Sequence, residues 1–242
     1  MKPLFALLLI ALCFYPFGPR PLHAQSLPAG PARLALPSLA PMTGGEKVEL
    51  VSHTLDASLR DAAGQTLVEG QAVFKLHNAD LLNKVDLTLG FPAWGGDNLR
   101  FDPAAFTSFQ VTARGKPFAL STVERPLRLG GETRQVVWHG GTLTLNADER
   151  VNVEVAFQLN LGAAALPALF IAHEADGLWQ GVVGSARYRI RLPVVTIANQ
   201  VRAAAPPLAE FDGQTLTWLF TEFKPRGFVT MTFVQPALWQ SL

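Results

Sequence analysis

Between Arg150 and Leu161 every second residue is apolar. Val151, Val153, Val155, Phe157, Leu159 and Leu161 fall on one side, and Asn152, Glu154, Gln158 and Asn160 on the other. A period of two is the signature of a strand with one dry face and one wet face. That pattern belongs to antiparallel sheets more than to parallel ones buried on both sides. The same alternation recurs where Tyr188, Ile190 and Leu192 oppose Arg187, Arg189 and Arg191, and again in Leu216, Trp218 and Phe220. Val85, Leu87, Leu89 and Phe91 form another inward set, ended by Pro92. Near the start, Val51, Leu55, Ala57 and Leu59 share a face. A turn at residues 61–65 leads into Val68, Ala72, Phe74 and Leu76, with Gly70 a candidate bulge.

Further strands are expected at 109–112, 118–123, 135–139 (between two Gly-Gly pairs), 142–145, 194–201 and 227–234. Asp102-Pro103 suggests one capped helical turn reaching Phe106, and Ala163 to Ala165 a short helix that Pro167 limits. No segment sustains a helical period, so the pattern predicts an all-β chain. Its architecture would be an antiparallel β-sandwich, either one large sandwich or two packed sub-sandwiches.

The N-terminus reads differently. Lys2 precedes an apolar run from Leu4 to Tyr15, then Pro16, Gly18, Pro19 and Pro21, and Leu22-His23-Ala24 offers a cleavage site. The run is short for a membrane span. Residues 1–24 are therefore expected to be a cleaved signal peptide, with an uncleaved membrane anchor as the alternative, which places the protein outside the cytoplasm with no membrane span after cleavage. Residues 25–42, with Pro28, Pro31, Pro37 and Pro41, read as an extended linker, and 43–242 as the β-sandwich domain. The single cysteine, Cys13, lies inside the apolar run without the small preceding residue of a lipidation signal. Cleavage would leave no cysteine for a disulfide, thiolate metal site or nucleophile. It would also remove Lys2 and Arg20, taking the 20 basic side chains to 18 against 19 acidic ones, a net charge of −1. Such balance gives no electrostatic case for a nucleic-acid partner.

Candidate chemistry is sparse. The spacing of Gly177, Gly181 and Gly184 matches neither phosphate-binding glycine motif, and the residues read as turn glycines around Trp179. His173, Glu174 and Asp176 are the densest cluster of ligand-type side chains, without the spacing of a zinc helix. Glu174 and Asp176 could converge as a carboxylate pair of the kind glycosidases use. Asp97, Asn98 and Asp102 lack the alternate-residue pattern of a calcium loop. Ser185 lacks the nucleophile-elbow motif. No catalytic residue, cofactor or metal is assigned. Trp94 and Trp179, in glycine-rich loops, are candidates for stacking on a sugar or anchoring a partner. Arg187, Arg189 and Arg191 are candidates for docking an acidic partner.

Thr43–Val48, Phe74–Asn78, Leu89-Gly-Phe-Pro92 and above all Trp179-x-Gly181-x-Val183-Gly184-x-Ala186 resemble an uncharacterised group of bacterial exported β-proteins. Residues 46–92 are also similar to the vault/inter-alpha-trypsin type of sandwich. The resemblance implies an exported sandwich module and carries over no catalytic residue. The functional expectation is a non-enzymatic module with a binding or structural role at the cell envelope, its partner a protein or a glycan. Two alternatives stand beside it: an envelope-glycan hydrolase using acids near Glu174 and Asp176, and a carbohydrate-binding module using the loop tryptophans.

Overall fold

The computed structural model describes residues 33–92, 106–129, 132–172, 178–193, 200–208 and 210–241. Among the described residues sixteen strands, β1 to β16 in chain order, form three sheets, and the only helical elements there are 3₁₀ turns such as Gly45–Lys47 and Pro236–Ser241. The largest sheet has eight strands. In spatial order they are β14 (Glu210–Phe211), β15 (Thr215–Phe223), β12 (Val183–Arg191), β3 (Val48–Ala62), β4 (Gln65–Asn78), β10 (Arg150–Asn160), β6 (Phe106–Ala113) and β7 (Lys116–Pro117). A four-stranded sheet runs β1 (Arg33–Ala35), β11 (Ala168–Ala172), β16 (Phe228–Phe233), β13 (Val201–Ala205). The other runs β2 (Ala40–Thr43), β5 (Val85–Pro92), β9 (Glu132–Leu145), β8 (Ser121–Leu129). All three contribute to one hydrophobic core, with Leu55, Phe74, Val153, Tyr188 and Trp218 from the large sheet, Leu87 and Leu89 from one small sheet, and Ile171, Met231 and Phe233 from the other. The chain is an all-β sandwich.

Most pairings are antiparallel, as the alternation predicts, but β12 lies parallel to β3 and β1 parallel to β11. Alternation reports which face is wet and carries no information about the direction of the neighbour. β12 keeps its arginines in water while running parallel because only its other face is covered.

The β3–β4 hairpin closes through Ala63 and Gly64, both with positive φ (52° and 78°), between the paired residues Ala62 and Gln65. Two consecutive left-handed residues make the tight turn whose twist matches that of the strands. The register of this hairpin slips between Leu50 and Ser52. Val51 is the extra residue, so Val48 and Leu50 are buried before it and His53, Leu55, Ala57 and Leu59 after it. The expected inward position of Val51 is thus corrected, and the expected bulge at Gly70 is absent. Gly70 pairs in register with Ala57 and with Phe157. Its role is space: a Cβ there would collide with the Asp56 carbonyl oxygen and come within 2.8 Å of the Ala57 Cα.

Three other expectations change. Residues 33–42 of the expected linker are not spacer, because β1 and most of β2 lie in them and Leu34, Leu36, Leu39 and Ala40 are buried. The Leu36 N–H donates to the Phe170 carbonyl at 2.8 Å, and the buried Ser38 hydroxyl accepts from the Ala172 N–H at 3.2 Å. Gly140-Gly141 does not separate two strands, since β9 runs through both. A Cβ on Gly141 would meet the Phe118 ring at 2.7 Å. Residues 163–165 form a turn rather than a helix. The expected strand at 194–201 lies mostly outside the described residues, with β13 beginning at Val201. Of the predicted turn at 102–106 only Phe106 is described, at the start of β6.

Candidate functional site

The wet face of the eight-stranded sheet brings together the most chemistry. On β12, Arg187, Arg189 and Arg191 project from alternate positions, opposite Thr54, Asp56 and Ser58 of β3. On the far side of β3, Asp56 pairs with Gln71 and Ser58 with Glu69 of β4. On the near side of β12, β15 offers Leu219, Thr217 and Thr215 to the same three arginines. The result is two ordered rows across the sheet, Thr217–Arg189–Asp56–Gln71 and Thr215–Arg191–Ser58–Glu69.

Side-chain length then shapes the surface. Asp56 and Ser58 are short, while the arginines on one side and Glu69 and Gln71 on the other are long. A trough of about 420 Å³ forms over β3, lined by Asp56, Ser58, Glu69, Gln71, Arg189, Arg191 and Thr215. Its walls stand on strands two spacings apart, roughly 10 Å. Asp56 receives Arg189 at 3.4 Å and Arg187 at 3.9 Å, and Glu69 holds Arg60 at 3.0 Å. The Arg191 side chain is exposed and its guanidinium makes no ion pair or hydrogen bond with any described residue. The nearby Asp212 carboxylate feels its charge, but is occupied by the N–H groups of Thr215 and Gln214, which hold it below the usual carboxylate range.

The other predicted positions fare differently. Trp179 is only 5% exposed, and its indole N–H donates to the Leu39 carbonyl at 3.2 Å. It is a core residue that pins the N-terminal segment, which corrects its reading as a stacking platform. The glycine beside it follows the same logic: a Cβ on Gly184 would lie 2.6 Å from the Val51 carbonyl oxygen, where β12 presses against the bulge of β3. Trp94, Glu174, Asp176 and His173 lie outside the described residues.

A polar network missed in the sequence sits at one end of β4. Asn78 is fully buried. Its Nδ2 donates to the carbonyls of Asn83 (2.9 Å) and Asn146 (2.7 Å), and its Oδ1 accepts from the Asp80 N–H (3.1 Å). Beside it His77 is clamped between Asp148, 2.8 Å from Nε2, and Glu49, 3.0 Å from Nδ1. Those two carboxylates, Asp148 first, raise the His77 pKa against the opposing effects of burial and Arg150. Arg114 bonds Glu149 at 2.7 Å, which lowers the Glu149 carboxyl pKa. These residues are far apart in sequence, so only their positions at strand ends hint at the network. Among the described residues no group of three or more His, Cys, Asp or Glu side chains could hold a metal ion, and no helix is long and apolar enough to cross a membrane.

No family model matches the sequence, and no curated protein matches it. Among solved structures, a Legionella pneumophila protein assigned a proposed nutrient-binding role superposes with a TM-score of 0.65 at 12% identity, over 85% of this chain and 72% of that one. Two structures of leukotriene A4 hydrolase from yeast (Saccharomyces cerevisiae) give TM-scores of 0.36 and 0.38 at 11% and 10% identity, over 80% and 79% of this chain. The chain spans 30% of the hydrolase's length. At such identities the first likeness is one of fold.

Proposed function

We propose that the chain is an exported, non-enzymatic binding module that presents the wet face of its eight-stranded sheet to an acidic partner at the cell envelope. The observation that carries this reading is the surplus of positive charge on β12: three arginines in a row, one neighbouring carboxylate, and Arg191 without an ion pair among the described residues. A guanidinium offers a planar fork of donors suited to carboxylates. The apolar run and candidate cleavage site at residues 1–24 support export, and the fold shared with a protein of proposed nutrient-binding role is in keeping with binding. The partner is a protein or a glycan bearing acidic groups.

The test is co-sedimentation of the purified mature protein with isolated envelope material, at low and high salt. Wild type is expected to sediment in a salt-sensitive manner, and the triple variant R187Q/R189Q/R191Q to remain in solution. A triple variant that sediments like wild type would overturn the reading. N-terminal sequencing of the protein from its native host is expected to begin at Gln25, and an intact Met1 on cytoplasmic protein would refute export.

A further inference from the structure

We infer that the trough over β3 is a binding site for a hydroxylated carboxylate of the uronic-acid class, with Arg191 as the group that receives the carboxylate. The inference rests on the proposed acidic partner and narrows it to a ligand class and a place on the face.

Charge selects an anion. Four arginines at and around the trough (60, 187, 189 and 191) face two carboxylates, Asp56 and Glu69, leaving a local surplus of two positive charges. Asp212 and Glu210 also stand on this side of the sheet and balance the wider face, but both lie outside the lining, Asp212 turned to backbone N–H groups and Glu210 beyond Thr217 without an ion pair among the described residues. Three of the four arginines are already engaged: Arg60 by Glu69, and Arg187 and Arg189 by Asp56. Of the four, only Arg191 has a fork that no described residue occupies, and Arg189, held to Asp56 at 3.4 Å, stands two residues away on the same face of β12. A carboxylate bridging these two would make charge-assisted hydrogen bonds.

The remaining lining selects what carries that anion. Ser58 and Thr215 bring hydroxyls, Gln71 an amide, and Asp56 and Glu69 oxygens with lone pairs to spare. Such a set suits hydroxyl groups, which both donate and accept. It does not suit a phosphate dianion, whose further oxygens would lie against two carboxylates. Nor does it suit an apolar ligand, since the trough wall carries no large apolar side chain. The volume, about 420 Å³, lies in the range of small-molecule sites. A uronic acid combines one carboxylate with a ring of hydroxyls, and a polymer of such sugars could continue along the open trough.

The probe is a galacturonic acid trimer, with the neutral galactose trimer as control, titrated into the mature protein at low salt by calorimetry. Wild type is expected to bind the acidic trimer and not the neutral one. R191Q should weaken binding at least tenfold, the loss typical of one charged hydrogen-bonding partner. R187Q, on the same strand but outside the trough, should weaken it less than about threefold. Ser58→Phe, which fills the trough without changing charge on a strand position that tolerates an aromatic, should abolish binding while circular dichroism stays that of wild type. Equal losses in R187Q and R191Q with S58F still binding would overturn the inference, because a diffuse field would then suffice. So would failure of wild type to bind the acidic trimer. If the trimer fails while envelope sedimentation persists and still needs the arginines, the trough assignment alone is wrong. If sedimentation too is indifferent to them, both readings fall.

Discussion

Replacing Asn78 by aspartate, a change of one heavy atom, should damage the fold more than truncating it to alanine. In the native protein the Asn78 amide nitrogen donates to two backbone carbonyls, those of Asn83 and Asn146, and its oxygen accepts from the Asp80 N–H. Alanine forfeits three hydrogen bonds and leaves a space. At roughly 0.5–1.5 kcal/mol each, with some re-entry of water, the loss is about 2–4 kcal/mol. Aspartate keeps the shape but turns an oxygen toward two carbonyl oxygens in a site with no exposed surface. A buried charge without a partner costs about 3–5 kcal/mol. The carboxyl group that N78D introduces should therefore have a raised pKa in the folded variant. The favourable contribution of its proton is then fully present below the unfolded value, about 3.9, and is lost as pH rises through the folded pKa. N78D should accordingly be worst at pH 7 and recover ground on N78A as the pH is lowered. Urea unfolding of the three proteins at pH 7 and near pH 4 reads this directly. In thermal melts a domain of this size should shift by roughly 2–4 °C per kcal/mol. N78D as stable as wild type at pH 7, or an N78D deficit that does not shrink in acid, would refute the donor assignment and the bracing role with it.

Raised His77 basicity predicts a second pH effect. Its ion pairs stabilise the fold fully below about pH 6.5, the ordinary histidine value, and are lost as pH rises through the higher folded pKa. The partner carboxylates are 45% and 63% exposed, so solvent screening holds the effect to about 1 kcal/mol. Urea midpoints of wild type should fall between pH 6 and 9, and those of His77→Gln should not follow. Gly70→Ala should cost about 1–3 kcal/mol by overpacking against Asp56, Ala57 and Phe157, and an unchanged melting temperature would show that β4 can shift. Trp179→Phe should release the Leu39 carbonyl and loosen residues 33–40. Hydrogen exchange of the Leu36 and Ala40 amides should quicken by roughly tenfold, the equivalent of one lost hydrogen bond, and unchanged protection would mean that β1 and β2 hold the segment unaided.

The strands easiest to see in the sequence are those exposed on one face along their whole length. β10 is of this kind throughout and β12 from Ala186 onward, and there their apolar residues are buried as the alternation requires. The pattern fails where backbone geometry or three-dimensional pairing intervenes. The bulge at Val51 reverses the phase of β3 within one strand, and nothing in the local residues distinguishes Val51 from its neighbours. Pro37 and Pro41 suggest a linker, yet Pro41 sits on β2, an edge strand with a shifted register, where a missing N–H is tolerated. Gly140-Gly141 resembles a turn because the groups that crowd it, Leu89 and Met42 at Gly140 and Phe118 and Ala119 at Gly141, are remote in sequence.

The site shows the same division. The three arginines of β12 are legible because alternation places them on one face, but their meaning depends on neighbours that only pairing reveals. A wet face shaped by stability alone would set acids beside them, since like charges two residues apart on a strand repel. β15 instead supplies Thr215, Thr217 and Leu219, and β3 supplies Asp56 between Thr54 and Ser58. On the two flanking strands one carboxylate therefore answers three guanidiniums, and the one it does not reach, Arg191, stands where short Ser58 opens the surface toward Glu69. The unpaired guanidinium and the depression coincide on one row of the sheet, and a ligand that brings its own carboxylate would give Arg191 the ion-pair partner that the flanking strands do not supply.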